Sequence, residues 1–169
     1  MQTDRIDTLI EQWRRERPDV DPSAMGIAGR VLRLAQHLER RLEVLLAEYN
    51  LMPWQFDVLA TLRRSGPPYQ MTPTRLMQSV MLSSGAMTNR LDRLEAAGLV
   101  KRQPDPADRR GVLITLTAKG RRMVDDALPA RFHEARLNRA VLSDAEARGM
   151  EASLRKLLLA LDPESTDAH

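Results

Sequence analysis

The strongest constraint on the fold is a pair of short helices in the middle of the chain. Thr72 followed by Pro73 is typical of a helix start, because a threonine hydroxyl caps free backbone N–H groups and proline tolerates the first helical position. This helix is expected to end near Val80. Ser83 then caps a second helix, and Gly98 supplies the left-handed residue that commonly follows a helix end. Two short helices joined by so few residues form a helix-turn-helix.

A small β-hairpin is predicted directly after these helices. The β-branched and aliphatic residues 112–116 favour a strand, residues 99–102 its partner, and residues 103–111 the loop between them. A helix starting at Pro53 precedes the pair, and one short strand is expected at residues 69–71. This order of elements is the winged helix-turn-helix topology. We therefore predict a mainly α fold with a small β-hairpin as its wing.

Long amphipathic helices flank this central part. An apolar stripe at helical spacing covers residues 23–49. Thr117 caps another long helix, in which Pro129 is expected to cause a kink. Residues 143–146 have the capping-box pattern and open the last helix. The chain is therefore expected to be helical on both sides of the central domain.

A separate short helix is predicted at the N-terminus. Thr3 or Asp4 can cap it, Pro18 ends it, and the proline-flanked residues 18–22 form a stiff linker. A helix this short must dock on another surface to be stable. Its apolar residues follow the i, i+3, i+4, i+7 pattern at Ile6, Leu9, Ile10 and Trp13.

Composition excludes several classes of function. The 169 residues include no cysteine, which removes disulfides, thiolate nucleophiles and thiol redox sensing. The three histidines are scattered along the chain, which disfavours a metal-dependent regulator. Because no nucleophile elbow, phosphate loop or metal motif is present, we expect neither an enzyme nor a cofactor. The lack of an apolar leader or membrane-length apolar run predicts a cytoplasmic protein.

Basic charge is concentrated around the predicted helix-turn-helix and hairpin. Residues 82–122 carry nine Lys or Arg against four Asp or Glu, whereas the net charge of the whole chain is only +3. A basic segment of this kind suits a polyanionic partner, although a solvated charged face is the simpler alternative.

The second helix of the pair carries side chains suited to DNA. Its start, with Ser83 and Ser84, can approach phosphates closely and offer them free backbone N–H groups, and both serines also serve as caps. Thr88 and Asn89 can reach base edges in the major groove, and we assign Arg93 to the same surface. Three apolar residues of this helix are expected to point inward: Met87, Leu91 and Leu94.

The predicted hairpin loop supplies a second contact with DNA. Arg109 and Arg110 are adjacent on a proline-stiffened loop and can enter a minor groove or bind phosphates. Asp108 is expected to fix the loop by pairing with an arginine or a nearby N–H group. Each feature is weak alone, but their order and spacing strongly favour a DNA-binding protein.

Residues 30–120 resemble the MarR family of bacterial regulators. The stretch LSSGAMTNRLDRLEAAGLV (82–100) matches the family's recognition helix, and DPADRRGVLITLTAKG (105–120) matches its wing. The resemblance implies a transcriptional regulator, most often a repressor. It also implies a homodimer with intertwined terminal helices that binds double-stranded DNA at a pseudo-palindromic operator. The apolar flanking helices, which a single chain of this size could not easily hide, agree with this.

This interpretation divides the chain into five parts. They are an accessory helix and linker (1–22), a dimerisation helix (23–52), the winged helix-turn-helix domain (53–116), C-terminal dimerisation helices (117–161) and a disordered tail (162–169).

The additional N-terminal helix and its tryptophan resemble the urate-responsive branch of the MarR family. That branch implies a ligand site made by this tryptophan, an aspartate before the helix-turn-helix, an arginine of the recognition helix and an arginine near the wing. The matching positions are Trp13, Asp57, Arg90 and Arg102.

Side chains of these types suit urate or a related xanthine-like purine. An indole supplies a stacking face and a guanidinium a planar, charge-matched fork for an anion. The anion would displace Asp57 from its partner, for which Arg102 is the candidate, and would pull on Arg90 of the recognition helix. Operator binding would weaken as a result.

Simpler interpretations stay open for each of these residues. Trp13 could anchor its helix to the core, Asp57 and Arg102 could form a structural ion pair, and Arg90 could contact phosphate. The alternatives for function are a relative that responds to another organic anion, such as a tricarboxylate, and a ligand-independent architectural DNA-binding protein.

Overall fold

The computed structural model describes residues 2–80 and 87–162, which contain seven helices and one three-stranded sheet. The predicted mainly α fold with a hairpin wing is confirmed. Two compact units, Met1–Val44 and Leu45–His169, make up the chain. The elements in chain order are α1 (Arg5–Glu16), α2 (Met25–Ala47), α3 (Pro53–Arg64), β1 (Gln70–Met71), α4 (Pro73–Ser79), α5 (Met87–Ala96), β2 (Val100–Asp105), β3 (Asp108–Leu116), α6 (Ala118–Arg139) and α7 (Asp144–Leu161).

In the first unit, α1 begins with a reciprocal capping box. The Asp4 carboxylate accepts the backbone N–H groups of Ile6 at 2.7 Å and Asp7 at 3.0 Å, and the Asp7 carboxylate accepts the Asp4 N–H at 2.9 Å. These bonds satisfy donors that a helix start leaves free. Of the two expected caps, Asp4 is therefore the one that the structure shows.

Helix α1 docks on the first turns of α2. Ile6 and Ile10 are buried, and a Cβ atom added to Gly29 would lie 3.1 Å from the Cδ1 atom of Ile6, so the glycine permits close approach. The Arg30 guanidinium adds bonds to the carboxylates of Asp4 at 2.8 Å and Asp7 at 2.6 Å. The predicted short helix therefore does dock on another surface, as expected.

Large apolar side chains remain exposed on α2 and α7. Both helices are fully described, and each buries a single residue, Leu46 in α2 and Ala147 in α7. Water therefore reaches most of the apolar stripe on each helix. Exposed are Ile27, Val31, Leu32, Leu34, Leu38 and Val44 on α2, and Met150, Leu154, Leu157, Leu158, Leu159 and Leu161 on α7.

The second unit contains the main hydrophobic core. Helix α3 packs against α6 and α4, and α5 packs against β2. Thr72 and Ser143 cap α4 and α7 as expected, through bonds to backbone N–H groups three residues further on. Fully buried side chains from successive elements meet in this core, including Leu59, Leu62, Leu76, Leu94 and Ile114.

Aromatic and charged side chains connect α3, α6 and the start of β1. Asp125 accepts a hydrogen bond from Arg63 at 2.7 Å and lies 3.6 Å from Arg121. The two guanidinium groups lie over the ring of Tyr69, at 5.1 Å for Arg63 and 5.4 Å for Arg121. Asp125 raises the pKa of Arg63 through this bond. The first strand is thereby fixed to two helices of the core.

The end of α5 leads directly into the sheet through Gly98. This residue has a φ of +70°, the left-handed conformation predicted for it, and Leu99 donates its N–H to the Leu94 carbonyl at 2.9 Å. A Cβ atom added to Gly120 would lie only 2.1 Å from the Leu99 carbonyl oxygen. The first turn of α6 therefore lies against the backbone that joins α5 to β2.

The sheet has the order β1-β3-β2, and all its pairs are antiparallel. The expected loop of residues 103–111 is wrong, because the strands continue through most of it and pair Gln103 with Leu113 and Pro104 with Val112. The turn comprises only residues 106–107. Pro129 lies inside α6, which continues through it.

Candidate nucleic-acid interface and effector residues

Helix α5 divides into an apolar face and a polar face. Thr88, Asn89 and Arg93 are exposed, so these three predicted DNA-binding residues lie on the solvent side. Ser83 and Ser84 lie outside the described residues. The expected inward side chains are confirmed as buried: Met87, Leu91 and Leu94.

The wing presents two exposed arginines near its turn. Arg109 and Arg110 are exposed, and they lie on β3 rather than in a long loop. Asp108 accepts the backbone N–H of Arg110 at 2.9 Å, which confirms its expected role in fixing this segment. Asp105 accepts the N–H of Ala107 at 2.9 Å on the other side of the turn. The two carboxylates thus stabilise the turn that carries the cations.

Arg102 connects the wing to α5 through two carboxylates, and we call this group (Asp92, Glu95 and Arg102) the Arg102 clasp. The backbone N–H of Arg102 donates to Glu95 at 2.9 Å, and its guanidinium donates to Glu95 and, at 2.6 Å, to Asp92. Asp92 and Glu95 raise the pKa of Arg102. The backbone N–H and the guanidinium of Arg102 lower the pKa of Glu95.

The clasp corrects one sequence-based expectation. Asp57 was the candidate partner of Arg102, but within the described part of the chain the carboxylates that bind Arg102 are Asp92 and Glu95. The physical reason is local: the chain reverses at Gly98 and brings β2 back along the last turns of α5. A guanidinium at the base of the wing therefore meets the carboxylates of α5 first.

Arg90, on the same helix, lies over the ring of Trp54. The guanidinium carbon is 5.8 Å from the ring centroid, within the range of a cation–π contact. Trp54 and Asp57 are three residues apart on α3, so they share a face of that helix. Sequence reasoning missed Trp54, although its spacing from Asp57 was a signal available in the sequence. Both Asp57 and Arg90 are half-buried and make further interactions.

Trp13, the remaining predicted ligand residue, belongs to the first unit. It is 48% exposed and lines a mainly apolar groove of about 340 Å³ where the chain turns from α1 towards α2. Val20, Pro22 and Met25 supply apolar lining, and the charged lining residues are Asp21 and Arg17, the latter paired with Asp19 at 2.6 Å. Trp13 is thus not a core side chain of α1, whose buried residues are Ile6 and Ile10.

Among residues 2–80 and 87–162, no helix has the length and hydropathy that a membrane span requires.

Comparisons with known proteins agree with this architecture. The model of the MarR family matches residues 51–112, which run from the start of α3 into the wing. The HTH-type transcriptional regulator PecS of Dickeya dadantii is 34% identical over 152 residues, covering 90% of this chain and 92% of PecS. The multiple antibiotic resistance protein MarR of Salmonella typhimurium is 32% identical over 133 residues, covering 77% of this chain and 90% of that protein.

A solved structure gives the same result for the fold. A mutant MarR from E. coli, crystallised with operator DNA, superposes with a TM-score of 0.72 at 28% identity, covering 81% of this chain and 96% of that one. The similarity to PecS covers 90% of the chain, so this protein is a regulator rather than an enzyme. The chain belongs to the MarR family of DNA-binding transcriptional regulators.

Proposed function

We propose that this regulator is a homodimeric repressor whose binding to a pseudo-palindromic operator is weakened by a small anionic ligand, most simply urate or a related purine. The observation that carries the DNA-reading step is the division of α5, which buries its apolar residues and exposes Thr88, Asn89 and Arg93. The exposed wing residues Arg109 and Arg110 supply phosphate or minor-groove contacts. Because operators lie in the bacterial cytoplasm, we place the regulator there.

The exposed apolar stripes support the homodimer. Side chains such as Leu34 on α2 and Leu158 on α7 are 49% and 63% exposed in the single chain. Contiguous apolar surface of this kind marks an interface, and in a chain of one sequence the simplest partner is a second copy. Two copies related by a two-fold axis would present two α5 helices to half-sites about one helical turn apart.

The ligand step rests on the four residues that match the urate-responsive branch: Trp13, Asp57, Arg90 and Arg102. Two features of the structure support them. Trp13 is exposed at a groove, where an indole face can stack on a planar ligand. Arg90 and Arg102 are half-buried cations connected to α5, so an anion that binds either one acts directly on the DNA-reading helix.

The test is a gel-shift titration with DNA from upstream of the regulator's own gene. We expect tighter binding to this DNA than to random DNA of the same length, and release of the specific complex by urate. Equal affinity for both DNAs would overturn the sequence-specific regulator in favour of an architectural protein. Release by citrate but not by urate or xanthine would replace the purine with a tricarboxylate.

Tryptophan fluorescence tests the ligand residues separately from DNA binding. Urate should quench the wild-type protein, and Trp13→Phe should lose most of this quenching. Trp54→Phe is the matched variant, because it removes the other tryptophan of the chain, leaves the Trp13 signal and keeps an aromatic ring beneath Arg90. Equal quenching of the wild type and Trp13→Phe would show that Trp13 does not belong to the ligand site.

A further inference from the structure

The Arg102 clasp leaves its two carboxylates in different situations. Glu95 holds both the backbone N–H and the guanidinium of Arg102, and its side chain is 37% exposed. Asp92 holds the guanidinium alone, and its side chain is 60% exposed. The interaction of Arg102 with Asp92 is therefore the easier one to break, because it consists of one hydrogen bond and water competes with Asp92 for the guanidinium.

Asp92 also lies on the DNA-reading side of α5. It follows Thr88 by four residues and Asn89 by three, so the three side chains share one face of the helix, and all three are exposed. A carboxylate at such a position repels DNA phosphates unless a cation neutralises it. In this structure the cation is Arg102, which reaches Asp92 from β2.

We propose that Arg102 neutralises Asp92 in the DNA-binding form, and that an anionic effector weakens DNA binding by withdrawing the Arg102 guanidinium from Asp92. This inference rests on the proposed function, which assigns Arg102 to the effector. A guanidinium binds an anion most strongly through two neighbouring N–H groups, and both such pairs, Nε with Nη2 and Nη1 with Nη2, include the Nη2 group that donates to Asp92. An anion that binds Arg102 in this bidentate way therefore competes with Asp92. Asp92 leaves first and stays on the DNA-reading face as an uncompensated negative charge.

Glu95 keeps the wing in place during this step. Its bond to the Arg102 backbone N–H does not depend on the guanidinium, so β2 stays attached to α5 while the Arg102 side chain moves. The change at the DNA surface is thus a change of charge at one residue and requires no unfolding of the wing. Asp92 and Arg102 act here as positioning and charge-setting residues rather than as base-reading ones.

The first experiment needs no ligand and uses the whole chain of 169 residues. Arg102→Gln should mimic the effector and lower operator affinity about tenfold, the range expected when a close charge pair is broken near a polyanion. Asp92→Asn in the Arg102→Gln background should restore affinity to within about threefold of wild type, because the stranded charge is gone. Asp126→Asn, an exposed carboxylate of α6, is the matched control and should not rescue. Failure of the Asp92→Asn rescue, with the protein folded by circular dichroism, overturns the neutralising role of Arg102.

The second experiment adds urate and separates this inference from the proposed function. Asp92→Asn should bind urate more tightly, because Arg102 has lost a competing acceptor, yet its operator complex should be released less by saturating urate. If Asp92 and Arg102 formed only a structural ion pair, Asp92→Asn would not raise the affinity for urate while lowering the release of the operator complex by urate. Tighter urate binding with undiminished release overturns the withdrawal step. If wild-type DNA binding ignores urate, xanthine and citrate, the proposed effector function fails, and the rescue alone decides whether Arg102 neutralises Asp92.

Discussion

The two compact units of this protein are stabilised in different ways. The unit of residues 45–169 encloses fully buried side chains from several elements, among them Leu59, Leu62 and Leu94. In the unit of residues 1–44, α1 contributes Ile6 and Ile10, which keep 9% and 8% of their surface exposed, and the ion pairs of Arg30 are open to solvent. Exposed ion pairs contribute little, so most of the free energy of folding belongs to the DNA-binding unit.

This difference in stability suits the two units to different tasks. A rigid core is needed to present α5 and the wing in a fixed geometry, and the second unit supplies one. An element held by two side chains and an exposed ion-pair cluster can open locally at small cost in free energy. The N-terminal unit, which carries Trp13 and its groove, therefore has the local freedom that the proposed ligand step would use.

The largest effect is expected from the core. Leu62→Ala, at a fully buried position, should lower the free energy of unfolding by about 2–5 kcal/mol, because a cavity replaces a packed side chain. Ile6→Ala should leave the main denaturant transition almost unchanged and release α1 alone. Urea denaturation at one fixed protein concentration compares the two. Equal losses would show that the two units unfold together.

The exposed stripe of α2 tests whether a second copy covers it. Leu34→Glu should dissociate the dimer and, because avidity is lost, lower affinity for a palindromic operator by about 100-fold. Gln36→Glu places the same charge on another face of the helix and should leave the protein dimeric. Sedimentation velocity reads the oligomeric state directly. An unchanged dimer in Leu34→Glu would exclude this stripe from the interface.

The DNA-reading surface should separate into specific and non-specific contacts. Asn89→Ala should cost about 1–3 kcal/mol on the operator and little on random DNA, because it removes a base contact. Arg110→Ala should weaken both DNAs alike and reduce the slope of log affinity against log salt by about one unit. Competition gel shifts at several salt concentrations measure both. If instead Asn89→Ala weakened both DNAs alike and Arg110→Ala weakened only the operator complex, Arg110 would be the base-contacting residue and Asn89 the phosphate-contacting one.

The smallest effect is a pH dependence confined to α1. The backbone N–H of Asp7 and the Arg30 guanidinium lower the pKa of Asp4, and the N–H of Asp4 and Arg30 lower that of Asp7. Carboxylates with depressed pKa values stabilise the folded form above their unfolded value, and this contribution disappears as pH falls through the folded pKa. Hydrogen exchange of the α1 amides should therefore accelerate, beyond its intrinsic pH trend, only below about pH 4. Arg30→Gln should make this acceleration smaller, because the pKa values of Asp4 and Asp7 are then less depressed, and an acceleration of unchanged size would show that the ion pairs of Arg30 play no part.

The sequence predicted the helical parts of the site well because their signals are local. The cap at Thr72, the left-handed Gly98 and the inward face of α5 depend on residues within one or two turns of each other. The length of the hairpin was not predictable in this way. Residues 103–105 and 108–111 are charged, proline-containing and largely exposed, so no apolar alternation marks them as strands, and cross-strand hydrogen bonds define them instead.

The partners of Arg102 were missed for a related reason. Asp92 and Glu95 come within reach only after the chain has reversed at Gly98, so a contact over ten residues depends on tertiary geometry. The expected pair of Arg102 with Asp57 was wrong because it matched opposite charges without accounting for the chain reversal at Gly98. The residue types needed for the site could be found from sequence, but the ion pairs that connect them could not.

The close approach at Gly120 has a mechanical consequence. The backbone of Gly120 lies directly against the backbone carbonyl of Leu99. Any side chain at position 120 would therefore force the two backbone segments apart. Contacts between side chains can slide by changing rotamers, but a contact between two backbones cannot. We therefore expect the first turn of α6 and the start of β2 to move together. A rotation of α6 would then shift the start of the wing as well, although α6 itself carries none of the predicted DNA-binding residues.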